Sequence, residues 1–269
     1  MRWLGELFRR HRTYTVLMVW FAIATPMFAV LMAFDARQVD GANVWLKSVK
    51  FGGSFVTYYF ALAFFARWMP PGSKDRFWQR AAVVAMVIAI VYEFVWLTAA
   101  GYLGIRSHYN YDGGLFTILY PVAGLMALIL VLGALAMGTA ILRGKHDAPN
   151  PAMAAAIGWG LVLVFILTPI VGFPLSNGPT NLGGSFNGYG EGLFGWRVPG
   201  GDLRAAHFLA THALHVVPLV AFLPTRIFKD ALGIWLVRLI ALGYAAVVLV
   251  LAINVVRGQD LPAILRMPT

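Results

Sequence analysis

Five ionisable side chains stand inside stretches of sequence otherwise apolar enough to cross a bilayer: Glu93, His207, His212, His215 and Arg238. An acid at mid-membrane costs about 2.5–3.5 kcal/mol on insertion scales. Glu93 is therefore expected to be protonated, or paired with a cation or metal. The alternative is a neutral glutamic acid hydrogen-bonded between helices. In the run His207-Phe-Leu-Ala-Thr-His212-Ala-Leu-His215, a helix turns about 100° per residue, which puts His212 and His215 about 60° apart and one turn apart in height. His207 lies about 140° from His212 and about 80° from His215 on the same wheel. The three make a broad face, and a metal bound there needs a ligand from another helix.

Glu93 and the imidazoles His108, His207, His212 and His215 are the candidate ligands near membrane depth. Such a set suits zinc, copper or non-haem iron, with Asp202 or Asp112 orienting the ligands. The four histidines are the expected metal ligands; Glu93, His108, Asp202 and Arg204 are the expected reacting or charge-stabilising groups. Haem held by two transmembrane histidine pairs is disfavoured, because only one span supplies histidines. A single haem with a loop histidine stays open. Lys47, Lys50, Arg106 and Arg204, with Asn110 beside them, suit an anionic headgroup or carboxylate. The bland alternative for Lys47 and Lys50 is snorkelling to the interface.

These residues need elements to hold them, and composition says which kind. Of 269 residues, 60% are hydrophobic and 12% charged, with a mean hydropathy of +0.74. Soluble domains carry about a quarter charged residues, so this chain belongs largely in lipid. The absence of cysteine excludes disulfides, thiolate metal sites and iron–sulfur clusters. The net charge of +10 is read as the basic bias of membrane loops, and no nucleic-acid partner is expected.

A span takes about 20 mostly apolar residues. Seven stretches qualify: Tyr14–Phe34, Phe51–Met69, Ala81–Leu103, Leu115–Leu142, Ala152–Phe173, Ala205–Leu223 and Gly233–Val256. The fold class expected is all-α, a polytopic bundle of seven spans forming a single integral membrane domain over 1–269. The first run exceeds the core of a cleaved signal and is kept as an anchor. One set of helix ends carries twelve basic residues: Arg2, Arg9, Arg10, Arg12, Arg67, Lys74, Arg76, Arg80, Arg143, Lys145, Arg226 and Lys229. The opposite set carries eight, so the N-terminus is expected inside and the C-terminus outside. With that orientation Lys47, Lys50, Glu93, Arg106, His108, Asn110, Asp202, Arg204 and the histidines of the sixth span fall in one layer, the outer leaflet and its surface. Residues 174–204, rich in Gly, Asn and Ser, form a long outer loop of the kind that often binds or covers a ligand.

Several functions drop out. The last span carries Arg238 and no lysine, so no retinal Schiff base forms there. Gly188-Tyr-Gly190-Glu-Gly192 lacks the flanking strand and helix of a phosphate loop. Ser54 has no histidine at a helical spacing that would activate it. Trp45, Tyr109, Tyr111 and Trp196 read as an interfacial aromatic belt.

The segments Asn43-Val-Trp45-Leu-Lys47-Ser-Val-Lys50-Phe51, Ser107-His108-Tyr-Asn110 and Gly200-Gly201-Asp202-Leu203-Arg204-Ala-Ala-His207-Phe208 with His212-Ala-Leu-His215 resemble a family of bacterial multi-span membrane proteins to which no activity is attached. They cover about a sixth of the chain, in an order that fits its whole length. The resemblance implies a shared outer-leaflet site containing Lys47, Lys50, His108, Asp202, Arg204, His207 and His212, and a place in the bacterial inner membrane. In that family a glutamine often stands where this chain has His215.

The residues favour a metal- or haem-assisted membrane enzyme or redox protein acting on a lipid-soluble substrate. A proton-coupled transporter or permease, with Glu93 and the histidines as relay, is the second reading. A sensor or assembly factor binding a lipid or partner through the glycine-rich loop is the third. Expected partners are membrane lipids and a lipid-soluble or anionic small molecule.

Overall fold

The computed structural model describes residues 2–111, 113–177, 195–196 and 201–262. Among them are seven helices long and apolar enough to span a membrane, which makes the chain a multi-pass membrane protein by architecture. Large apolar side chains lie exposed on their outer faces, Leu219, Leu223 and Leu242 among them. Such faces are ruinous in water and natural against hydrocarbon. The chain divides into two compact units, 1–140 and 141–269.

The first unit starts with helix α1 (Arg2–Arg10) and the span α2 (Arg12–Phe34). A two-stranded hairpin follows, β1 (Gln38–Val39) with β2 (Ala42–Asn43). Its turn is Asp40-Gly41, both with positive φ, 54° and 78°. That is the mirror-image turn that matches strand twist, and Asp-Gly is among the pairs that adopt it. The spans α3 (Leu46–Phe65), α4 (Phe77–Leu103) and α5 (Gly114–Gly144) complete the unit, the boundary falling inside α5.

Glycines set the close approaches. A Cβ on Gly52 of α3 would strike the Thr25 hydroxyl of α2, so these helices meet backbone against side chain. A Cβ on Gly101 would lie 2.8 Å from the Trp45 ring. Trp45 fills that slot, stacked on Phe28 with its indole N–H donating to Asp35 at 2.9 Å. It is 5% exposed, so Trp45 is a core peg and not part of an interfacial belt. Hydropathy alone gave no hint of the acid ten residues before it.

The α1–α2 junction holds a titratable cap. His11 is the N-cap of α2, its Nδ1 accepting from the Tyr14 N–H at 3.4 Å. Its ring stacks on Tyr14 with centroids 3.7 Å apart. Burial, and secondarily the nearby Lys74 ammonium, lower the His11 pKa to about 4. Protonating Nδ1 also removes the lone pair that makes the cap. A depressed histidine binds fewer protons folded than unfolded, so stability is complete above about pH 6.5 and falls as the pH drops toward about 4. Melting of the solubilised protein should therefore move to lower temperature between these limits. His11→Asn, a cap that does not titrate, should flatten the dependence; an unchanged slope in that variant refutes the assignment.

The second unit contains the last residues of α5 and the spans α6 (Pro151–Asn177), α7 (Leu203–Ile227) and α8 (Ala231–Val256). The most apolar window of α6 is 72% buried against 22% for α8, which makes α6 the central helix and α8 the one turned to lipid. Alanine and glycine permit this. Ala155 and Ala156 of α6 meet Ala221 of α7 and Val237 of α8 in one buried cluster. A Cβ on Gly160 would lie 2.9 Å from the Ala213 carbonyl oxygen and 3.1 Å from Pro218. With no hydrophobic drive between helices in lipid, small residues at close range supply the packing.

Candidate functional site

The polar groups of the first unit collect at the end where α2 and α4 stop and α3 and α5 start. Asp35, just past α2, is clamped by Arg37, with Nε to Oδ1 at 3.0 Å and Nη2 to Oδ2 at 2.7 Å. The same guanidinium donates to the Tyr102 carbonyl at 3.0 Å, near the end of α4. Asn43 donates to the Asp35 and Met32 carbonyls and accepts from the Trp45 N–H. Carbonyls at the end of α2 and an N–H at the start of α3 are thereby satisfied together. Arg106 makes a bidentate pair with Asp40 at the hairpin tip, closest approach 2.6 Å. Asn110 is buried and donates to the Arg106 carbonyl at 2.9 Å. The expected anion binders Arg106 and Asn110 are thus engaged in fixing the loop.

Inside this rim lies Glu93. Ser48 donates to the Leu97 carbonyl at 3.4 Å, and a Cβ on Gly101 would meet the Val44 carbonyl. Both contacts give α3 and α4 the same antiparallel register, which brings Glu93 level with Gly52, about 6 Å below Ser48. On α5, the Leu119 carbonyl accepts from Tyr92, the neighbour of Glu93, at 3.1 Å. The His108 ring lies 5.5 Å from Phe51 and 6.0 Å from Tyr120, with its Nδ1 3.0 Å from the Ser107 hydroxyl. Phe51, Glu93, His108 and Tyr120 thus come from four segments to similar depth. Lys47 shares the Phe51 face of α3 at i,i+4 spacing, and Lys50 precedes Phe51; both are half-buried and in contact with other groups.

Glu93 is 2% exposed, and its Oε2 has no hydrogen-bond partner. The same holds for the Tyr59 hydroxyl, fully buried two turns beyond Gly52 on α3 among Phe21, Phe55 and Tyr58. Unpartnered buried polar atoms are rare and costly, about 1–3 kcal/mol each, so each needs a reason. In sequence Tyr59 looks like core, a tyrosine close to phenylalanines.

The second unit holds the α7 histidines. Asp202 is the N-cap of α7, accepting from the Arg204 N–H at 2.9 Å and forming a bidentate pair with the Arg204 side chain. Arg204 also donates to the Gly195 carbonyl at 2.9 Å. The pair so fastens the start of the helix. His207 packs against Gly172 of α6, where a Cβ would lie 3.4 Å from its ring. His212 stacks on Phe208 with centroids 3.9 Å apart, and its Nδ1 lies 2.8 Å from the Phe208 carbonyl oxygen. That contact assigns the proton to Nδ1 and leaves Nε2 as the acceptor. The His215 ring is 5.4 Å from that of His212.

The metal expectation for His108, His207, His212 and His215 finds no support. Among the described residues no three of His, Asp and Glu stand close enough to hold an ion. The reason is local: His207 is turned against Gly172, and one nitrogen of His212 is committed to a carbonyl four residues back. Two imidazoles on one helix lack the third ligand a site needs. Asp112 and the Gly188–Gly192 segment lie outside the described residues.

In comparisons with known proteins, no family model, no curated protein and no solved structure matches this chain.

Proposed function

We propose that this chain is a proton-coupled membrane protein of the bacterial inner membrane, with its N-terminus inside, in which Glu93 carries the proton. The observation that carries the reading is a carboxyl group 2% exposed in a 27-residue span, one oxygen of which has no partner. A carboxylic acid at membrane depth that is neither paired nor fully hydrogen-bonded is the usual form of a proton-binding site in transporters. His108 and the basic residues Lys47 and Lys50 at the rim suit an anionic small molecule approaching that acid. Tyr59, two turns further along α3, supplies a second unpartnered hydroxyl along the way. The metal-assisted enzyme has less support, because among the described residues no third ligand joins His212 and His215.

Infrared difference spectroscopy on the reconstituted protein tests this without knowledge of the solute. A carboxyl stretch should respond to pH and vanish in Glu93→Gln. In proteoliposomes carrying a pH-sensitive dye, dissipation of an imposed pH gradient should be lost in the same variant. A band that does not titrate, or gradient dissipation unchanged by Glu93→Gln, ends the proposal.

A further inference from the structure

At the other end of the first unit, α1 and its surroundings form a surface of a different kind. On a helical wheel Trp3, Leu4, Leu7, Phe8 and His11 share an arc of about 140°, and the arginines take the other side. Leu7, near the centre of the apolar arc, is buried, while Trp3 and Phe8 at its edges are 62% and 37% exposed. The helix therefore docks on the unit by its middle and leaves an aromatic residue open on each flank. Arg10 holds it there. Its Nε bonds Glu6 at 3.0 Å, its Nη1 reaches the Phe64 carbonyl at the end of α3, and its guanidinium stacks over the Phe64 ring. The Lys74 ammonium donates to the Arg10 carbonyl.

Around this anchored helix the open side chains are mostly cationic. Arg2, Arg9, Arg12, Arg67, Arg76 and Arg80 are all exposed, and the acids among them are Glu6 and Asp75. Arg67 stacks over both Phe64 and Trp68, at 5.8 and 5.4 Å from the ring centroids. Its planar fork is thus held in place beside α1 rather than free in solvent. Exposed aromatics interleaved with guanidinium groups at the mouth of a bundle of spans match two layers of a lipid at once. The rings suit the glycerol and upper acyl region, and the guanidiniums suit the phosphodiester.

We propose that this face is a binding site for an anionic phospholipid headgroup, with Arg9 and Arg67 contacting the phosphate and Trp3 and Phe8 inserted beside the glycerol. Charge complementarity supports this site, six exposed guanidiniums standing against two acids beside an amphipathic helix already fastened to the unit through Arg10. It does not depend on Glu93 or on proton coupling.

Nanodiscs of phosphatidylcholine alone, and of phosphatidylcholine mixed with phosphatidylglycerol, provide the test. The anionic lipid should raise the melting temperature of the wild-type protein by on the order of 5 °C, and about 0.5 M salt should erase most of that gain. In Arg9→Gln/Arg67→Gln the gain should shrink to less than half. If the double variant fails to assemble, Arg9→Gln alone, at a side chain 78% exposed, carries the same comparison. The proposal is overturned by no gain in the wild type, by an equal gain in the variant, or by inorganic phosphate reproducing the gain in phosphatidylcholine discs.

Discussion

Asp202→Ala should destabilise the second unit by about 2–4 kcal/mol, read as a lower denaturation midpoint in detergent. Removing one partner of a buried ion pair costs about 3–5 kcal/mol because the other charge is stranded. Here Asp202 is 0% exposed, but the Arg204 side chain is 24% exposed, and water reaching the guanidinium reduces the loss. Part of what remains is the helix cap, about 1 kcal/mol for an aspartate replaced by alanine. The neighbouring variants separate the contributions. Asp202→Asn keeps an oxygen for the Arg204 N–H and loses only the charge, so it should cost less than Asp202→Ala. Arg204→Gln takes the Arg204 charge away from the fully buried carboxylate and frees the Gly195 carbonyl from that donor, so it should cost at least as much. If Asp202→Ala lies within about 0.5 kcal/mol of wild type, the range of ordinary surface changes, the pair does not fasten α7.

The same pair shows what a sequence reveals and what it withholds. Asp202 and Arg204 stand out by type as candidate reacting groups, and the geometry shows them as a cap and a clasp. Hydropathy located all seven spans because a bilayer imposes length and apolarity directly. It placed several ends short, since Arg12, Lys47, Lys50, Arg80 and Arg204 all sit in helical turns. Long cationic side chains snorkel, so a helix runs past the last apolar residue. Helix α1 went unseen because nine residues are too few for a span, and its apolar arc appears only on a wheel. The histidine spacing suggests a metal site that finds no support among the described residues, because spacing does not say which nitrogen is already bonded. The signal was present, since a carbonyl four residues back is within reach of a helical histidine. Glu93 was legible from type and depth alone, since few forces let an acid sit in a span without purpose.

The proposed proton-binding role makes a prediction with two signs. Glu93→Leu should raise stability by about 1–3 kcal/mol, the penalty of a buried polar atom that finds no partner, and should abolish gradient dissipation. Leucine fills much of the same volume and lets the neighbouring Ile90 and Leu97 pack on carbon. Glu93→Gln keeps a polar head in the same place, so its stability should stay near wild type while its transport is lost. A residue retained for structure behaves in the opposite way: replacement lowers stability, and activity falls only as folded protein is lost. Residues that cost stability and confer activity are the signature of a working site. Denaturation midpoints and gradient dissipation measured on the same reconstituted samples decide between the two. Should Glu93→Leu weaken the fold by more than about 1 kcal/mol, the carboxyl is held by bonds worth more than its desolvation. Glu93 would then be a strut between helices, and the proton would have to be carried elsewhere.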